Sequence, residues 1–294
     1  MDFDNSWDAV LKPGKATVYF DALGDTTFEA DSSSYSKINA WWMAELCRLI
    51  YRQGSDEIDE ATGPTRKEVL ARVKLEEVEF FNEGDTEAAL IKPAETSAPQ
   101  FAAVVLRGTN DPRDWLTDFN VIPDDWVEGG LVHRGFAKAF DLVGDKVIAS
   151  LNKHVPANCP LFIAGHSLGA ALATLLASRR RPHALYTFGS PRVGDDDFGE
   201  TLDGVRIFRV VNNRDVVTTV PPPLPFHHLG ELHYITHKGD MLVNPDDETV
   251  AQDRLKRDRF SFFSLDFKNL FTNAPEPIAD HAPVNYVAHL ERQV

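Results

Sequence analysis

A chain of 294 residues, 43% of them hydrophobic and with a mean hydropathy of −0.27, has the material for one sizeable core and the surface of a protein that folds in water. Its formal net charge of −15 argues against a nucleic acid as partner and against a strongly anionic lipid surface, since both would repel it. No apolar run approaches the roughly eighteen residues of a membrane-spanning helix, and two cysteines do not build a disulfide scaffold. Met1-Asp2-Phe3-Asp4-Asn5 carries neither the basic region nor the apolar stretch of a secretory signal, so the expectation is a cytoplasmic protein, or a secreted one already freed of its leader.

Taken along the chain, residues 1–35 are polar and irregular. Ile38 to Tyr51 then reads as a well-buried helix that braces a sheet. Phe101-Ala102-Ala103-Val104-Val105-Leu106 is a run of the kind found in strands buried on both faces, and it ends in Arg107-Gly108-Thr109. Asn110 or Asp111 can cap the next helix and Pro112 suits its first turn. Trp115, Leu116 and Phe119 fall on one of its faces, with Arg113, Asp114 and Asp118 mostly elsewhere. A second buried run, Leu161-Phe162-Ile163-Ala164, leads into Gly165-His166-Ser167-Leu168-Gly169, and the alanine-rich stretch Ala170 to Ala177 predicts a slim helix after it. Strands alternating with helices, with no internal repeat, predict one α/β domain over residues 36–294, following the irregular segment 1–35.

Strand, sharp turn, helix, with a serine at the apex, is the layout of a nucleophile elbow. Glycines flank the serine because its backbone is strained and the helix passes close to the strand, where a Cβ would collide. Ser167 is therefore the predicted nucleophile, and the N–H of Leu168, at the positive end of the following helix, is a predicted donor to a developing oxyanion. A serine hydroxyl is a poor nucleophile at neutral pH, so the chain must also supply a base and a group that orients it. In hydrolases built on such an elbow the acid follows the serine and the histidine comes last. After the strands His183 to Gly189 and Val205 to Val211, the turn Asn212-Asn213-Arg214-Asp215 places Asp215 where the acid is expected, whereas Asp195, Asp196 and Asp197 read as a solvated turn. His281, in Asp280-His281-Ala282-Pro283 ahead of a terminal helix, is the predicted base, with His233 as the alternative. His227, His228, His233 and His237 lack a recognisable ligand spacing, so no metal site is predicted.

Between Gly239 and Pro275 lies a segment that such a triad does not require. Its basic stretch from Arg254 to Arg259 and the phenylalanines that follow, Phe262 and Phe263 among them, read either as a helix capping a satellite core or as a second interfacial flap.

Arg107-Gly108-Thr109, Asp114-Trp115-Leu116, His133-Arg134-Gly135-Phe136, Gly165-His166-Ser167-Leu168-Gly169, Gly189-Ser190-Pro191-Arg192-Val193-Gly194, Asp215, Asp280-His281 and Asn285-Tyr286, in that order, resemble the class 3 (fungal-type) lipase family over roughly residues 36 to 294. The resemblance implies a single-domain α/β-hydrolase, with a mostly parallel central sheet, helices on both faces and a short helical lid. It further implies hydrolysis of carboxylic esters without a cofactor, oxyanion donation by Thr109 and Leu168, and a lid carrying Trp115, Leu116 and Phe119, a helix that also reads as a fixed surface helix whose Trp115 packs on the core. The implied substrate is an acylglycerol or other lipid ester met in transient contact with a lipid interface. A soluble-ester esterase or phospholipase on the same fold is the neighbouring reading, and a lipase-like lipid-binding protein without turnover is the non-enzymatic one. Secreted fungal members usually carry signals and disulfides, which this sequence does not display.

Overall fold

The computed structural model describes residues 3–21, 24, 26–52, 63–95, 100–107, 121–261 and 273–294, with 257–261 described in backbone only. Helix α1 (Trp7–Leu11) and a 3-10 turn at Pro13–Lys15 come first, then helices α2 (Lys37–Leu49) and α3 (Arg66–Arg72). Strands β1 (Leu75–Glu83), β2 (Thr86–Pro93), β3 (Ala102–Arg107), β4 (Pro123–Asp125) and β5 (Leu131–His133) lead to the long helix α4 (Arg134–His154). Then come β6 (Leu161–His166), α5 (Leu168–Arg179), β7 (Ala184–Phe188), α6 (Asp196–Glu200) and β8 (Ile207–Asn212). The chain ends with β9 (Glu231–Ile235), β10 (Met241–Val243), α7 (Asp247–Ser261), α8 (Glu276–Ala279) and α9 (Pro283–Glu291).

The apolar runs pair into one eight-stranded sheet ordered β1-β2-β3-β6-β7-β8-β9-β10. Its centre, β3 through β9, is parallel, and antiparallel pairs flank it on both sides. Every residue of β3, β6 and β7 is buried, as strands covered by helices on both faces require. One face carries α2 and α9 over a core that includes Phe162, Tyr186, Phe188 and Val210, and the other carries α4 and α5 over Val104, Ile163, Leu172 and Leu185. This is the mostly parallel sheet with helices on both faces that the resemblance implies.

Two features depart from the sequence reading. Ahead of residue 35 the chain is more than an irregular polar segment: besides its two helical turns it contributes Phe20 and Phe28 to the core, where Phe28 stacks on Phe101 with ring centroids 4.1 Å apart. Asp195 is no solvated turn residue either. Its carboxylate caps α6, accepting from the Phe198 N–H and the Leu131 N–H at 2.9 Å each, because the first amides of a helix have no partner of their own.

The contact between α5 and the sheet explains two glycines of the elbow. A Cβ on Gly169 would lie 2.1 Å from the Leu106 carbonyl oxygen, and one on Gly165 would lie 2.1 Å from the Gly169 carbonyl oxygen. Both obstacles are backbone, so no side chain can swing aside. Gly169→Ala is expected to destabilise the protein by about 3 kcal/mol, the upper end of the usual overpacking range, by driving α5 off the end of β3. Chemical denaturation of the variant checks this, and a midpoint equal to wild type would show that the helix and strand have room to part.

Candidate active site

Ser167 joins the end of β6 to the start of α5 with φ 60 and ψ −131, a conformation rare for a residue with a Cβ. The strain is held by the sheet, since the Ser167 N–H donates to the Phe188 carbonyl of β7 at 3.0 Å. The result is a serine side chain clear of the strand. Its Oγ lies 2.8 Å from His281 Nε2, and His281 Nδ1 lies 2.9 and 2.8 Å from the two carboxylate oxygens of Asp215. With a carboxylate at Nδ1, that nitrogen carries the ring proton, so Nε2 is left as the acceptor of the serine proton. The structure thus brings Ser167, His281 and Asp215 into one hydrogen-bonded line.

Asp215 sits at the turn after β8 and caps the 3-10 turn Val216–Thr219, its Oδ1 accepting from the Val217 N–H at 2.9 Å. Its Oδ2 also accepts the Tyr286 hydroxyl at 2.6 Å. Complete burial pushes the Asp215 carboxyl up. The charge and hydrogen bond of His281 and the hydroxyl of Tyr286 more than offset that, leaving it below the ordinary aspartate value and ionised. Space beside it is reserved by Gly189, at φ +60, where a Cβ would stand 2.5 Å from Asp215 Oδ2. His281 lies between α8 and Pro283, the first residue of α9. The two loops are laced together: Asn212 Nδ2 donates to the Asp280 carbonyl at 2.9 Å, and the Arg214 N–H donates to Asp280 Oδ2 at 3.2 Å.

His166, beside the serine, is a site residue that the sequence reading did not single out. Its Nε2–H donates to the His281 carbonyl at 2.7 Å, and its Nδ1 accepts the Tyr51 hydroxyl at 3.0 Å. Burial, reinforced by His281, lowers its pKa to about 3, so it stays neutral while tethering the main chain of the candidate base. Its place inside Gly165-His166-Ser167 was the available signal, but both partners are distant in sequence.

Leu168 is the first residue of α5, so its N–H is among the leading amides that no helical carbonyl satisfies. Thr109, the helix of Trp115, Leu116 and Phe119, and the flap residues Phe262 and Phe263 lie outside the described residues. The other histidines go elsewhere. His233 is buried in β9 with Nε2 2.6 Å from Glu231 and its ring stacked on Tyr35, apart from the serine. His228 Nε2 donates to the Thr218 carbonyl at 2.9 Å, and His237 Nδ1 faces Asp253. Among the described residues no group of three or more His, Cys, Asp or Glu is placed to hold a metal ion.

Burial, with the charges of Arg209 and Arg192, also lowers His228 to about 3. A histidine whose folded pKa lies below its unfolded value of about 6.5 binds a proton more readily in the unfolded chain, so its share of stability is complete above that pH and is lost on acidification. The depressed Asp215 carboxyl acts in the same direction lower down, below about pH 4. The melting temperature is therefore expected to fall steadily from about pH 6.5 toward pH 4, with net proton uptake on unfolding. Calorimetry across that range checks this, and a flat profile would refute neutral burial of His166 and His228.

Residues 103–224 match the family model described as Lipase (class 3). A secreted mono- and diacylglycerol lipase 1 of Fusarium solani is 38% identical over 140 residues, covering 44% of this chain and 42% of the relative. The lipase of Rhizomucor miehei is 35% identical over 150 residues, covering 45% and 41%. A phospholipase A1-II 6 of rice (Oryza sativa subsp. japonica) is 32% identical over 192 residues, covering 50% and 47%. The matches thus span less than half the length of each of these relatives. Among solved structures, a lipase from Rhizopus microsporus var. chinensis superposes with a TM-score of 0.55 at 25% identity, over 65% of this chain and 75% of that one. In its fold, and in sequence across the segment from β3 to just past Asp215, the chain resembles the class 3, fungal-type lipases of the α/β-hydrolase fold.

Proposed function

We propose that this protein is a serine carboxylic ester hydrolase, in first place a triacylglycerol lipase. The observation that carries the reading is the unbroken line from Ser167 Oγ through His281 to the buried, ionised Asp215, with contacts of 2.8 to 2.9 Å. In the proposed reaction His281 Nε2 takes the serine proton as Oγ attacks the ester carbonyl, and the developing imidazolium is stabilised by Asp215. The oxyanion is received by the Leu168 N–H and by Thr109. The imidazolium returns its proton to the departing alcohol, leaving an acyl-serine, which water activated by the same histidine then hydrolyses. Atoms and charge balance without a cofactor.

The lipid part of the reading rests on the relatives named as mono- and diacylglycerol lipases and on the apolar residues Trp115, Leu116 and Phe119, which follow shortly after Thr109 in the sequence. A helix carrying them, closed, covers the serine, and at a neutral lipid surface turns its apolar face outward. The rice relative named as a phospholipase A1 favours phospholipid as the second reading. None of the described helices is long and apolar enough to cross a membrane, so lipid contact is proposed to be transient.

Ser167→Ala is expected to abolish turnover and fluorophosphonate labelling while preserving the fold, and His281→Ala to lower kcat by about three orders of magnitude or more. Persistent labelling in the alanine variant would remove Ser167 as nucleophile, and no labelling of a folded wild type would favour a binding protein.

Assays on triacylglycerol emulsion, phospholipid vesicles and dissolved short-chain ester separate the substrate classes. The rate is expected to rise once the ester exceeds its solubility limit, and Trp115→Ala to blunt the rise while sparing dissolved ester. An identical hyperbolic curve through that limit in both proteins would refute the lid.

A further inference from the structure

The sequence predicts no role in the triad for the segment after Gly239, yet its helix α7 grips the loop that carries Asp215. Asn213, two residues before the acid, is fully buried with φ 33, the left-handed region that asparagine tolerates better than most residues. Two consecutive residues of α7 hold its two ends. The Asn213 side-chain amide donates to Asp253 Oδ2 at 2.9 Å and to the Tyr234 hydroxyl at 3.0 Å. Its main-chain carbonyl accepts from Arg254 Nε at 2.9 Å.

Asp253 is itself held in place. Its Oδ2 accepts the His237 N–H at 2.8 Å and the Tyr234 hydroxyl at 3.1 Å, while Oδ1 faces His237 Nδ1. Burial pushes this carboxyl up, and the hydrogen bonds from His237 and Tyr234 more than offset it, so Asp253 remains an anion inside the fold. Between α7 and the Val216–Thr219 turn lies an open cleft of about 590 Å³, bordered by Val216, Thr219, Val250, Arg254 and Leu255. The helix reaches the acid loop through Asn213. On the opposite side the same loop is tied to Asp280, next to His281.

We infer that Asp253 and Arg254 are positioning residues that act through Asn213 to hold the Asp215 carboxylate in register with His281 Nδ1. The inference rests on the triad reading above. A carboxylate that faces Nδ1 with both oxygens, at 2.8 and 2.9 Å, loses that arrangement when its loop shifts by a fraction of an ångström. A plain structural anchor for α7 would instead change stability and leave chemistry alone.

The test is steady-state kinetics on a short-chain ester kept below its solubility limit, with melting temperatures measured beside them, for Asp253→Asn, Arg254→Lys and Asn213→Gly. The glycine variant keeps the left-handed turn accessible and removes only the side-chain link, so it reports on the clamp even if Asp253→Asn fails to fold. For Asp253→Asn and Asn213→Gly, kcat is expected to fall about ten- to a hundred-fold with KM within about two-fold of wild type, and Arg254→Lys to show a smaller fall of the same kind. Combining Asp253→Asn with Asn213→Gly is expected to cost no more than the worse single change, because the Asn213–Asp253 hydrogen bond is the link common to both. Wild-type kcat in folded variants with lowered melting temperatures overturns the inference, as does a double variant whose losses multiply. Ser167→Ala and Asp215→Ala are measured alongside. Full turnover in either, or none in the wild type, overturns the triad reading and this inference with it, an outcome distinct from failure of the clamp alone.

Discussion

The structure turns on one buried anion. Asp215 has no exposure to solvent, and taking a carboxylate out of water costs several kcal/mol unless charge and hydrogen bonds replace what the solvent gave. Here the replacements come from three groups on two stretches of the chain: His281 ahead of α9 with Tyr286 within it, and the Val217 N–H of the capped turn. Each of these hydrogen bonds also fixes a distance that the proposed chemistry needs. An acid that must stay ionised in a dry site therefore organises the loops around it, and Gly189 leaves the room for it to do so.

That dependence explains which parts of the site were legible in the sequence. The elbow could be read because its constraints are local: a strand, a strained serine and glycines where backbone meets backbone within a few residues. Asp215 and His281 could be read because the order of strands and the start of a terminal helix place them. His166 and Asn213 escaped because their partners, Tyr51, His281, Tyr234 and Asp253, are all distant in sequence, and nothing about a histidine or an asparagine announces which distant carboxylate or carbonyl it will meet. Asp195 was misread for a related reason. A cluster of aspartates looks solvated, but a helix N-terminus and the Leu131 N–H make one of them a structural cap.

The elements at the N-terminal edge were illegible in another way. Phe20 and Phe28 occur in a polar stretch without periodicity, so no pattern marks them as core; they are buried because α2 presents Trp41 and Trp42 to them, with the Phe28 and Trp42 rings edge to face at 6.3 Å. Burial on one helix of so many apolar groups, together with the ion pair Glu45–Arg48 at 2.7 Å, makes α2 the brace that the sheet packs against on the α9 side. Since α9 begins two residues after His281, the packing of α2 on α9 bears on where the proposed base stands.

Charge near the base is managed by neutrality as much as by pairing. In the proposed reaction His281 becomes a cation when it takes the serine proton, and its ring centroid lies 4.5 Å from that of His166. A protonated His166 would repel it and oppose the proton transfer. Burial keeps His166 neutral, and the Tyr51 hydroxyl occupies the one nitrogen on which it could accept a proton. Tyr51 in turn lies under the Arg107 guanidinium, 5.0 Å from its ring centroid, at the end of β3 and next in sequence to Gly108 and Thr109. The strand that leads to the proposed oxyanion donor and the loop that carries the proposed base are thus joined through two side chains that themselves do no chemistry. Tethering of this kind is what lets donors stay aimed at a charge that exists only in the transition state.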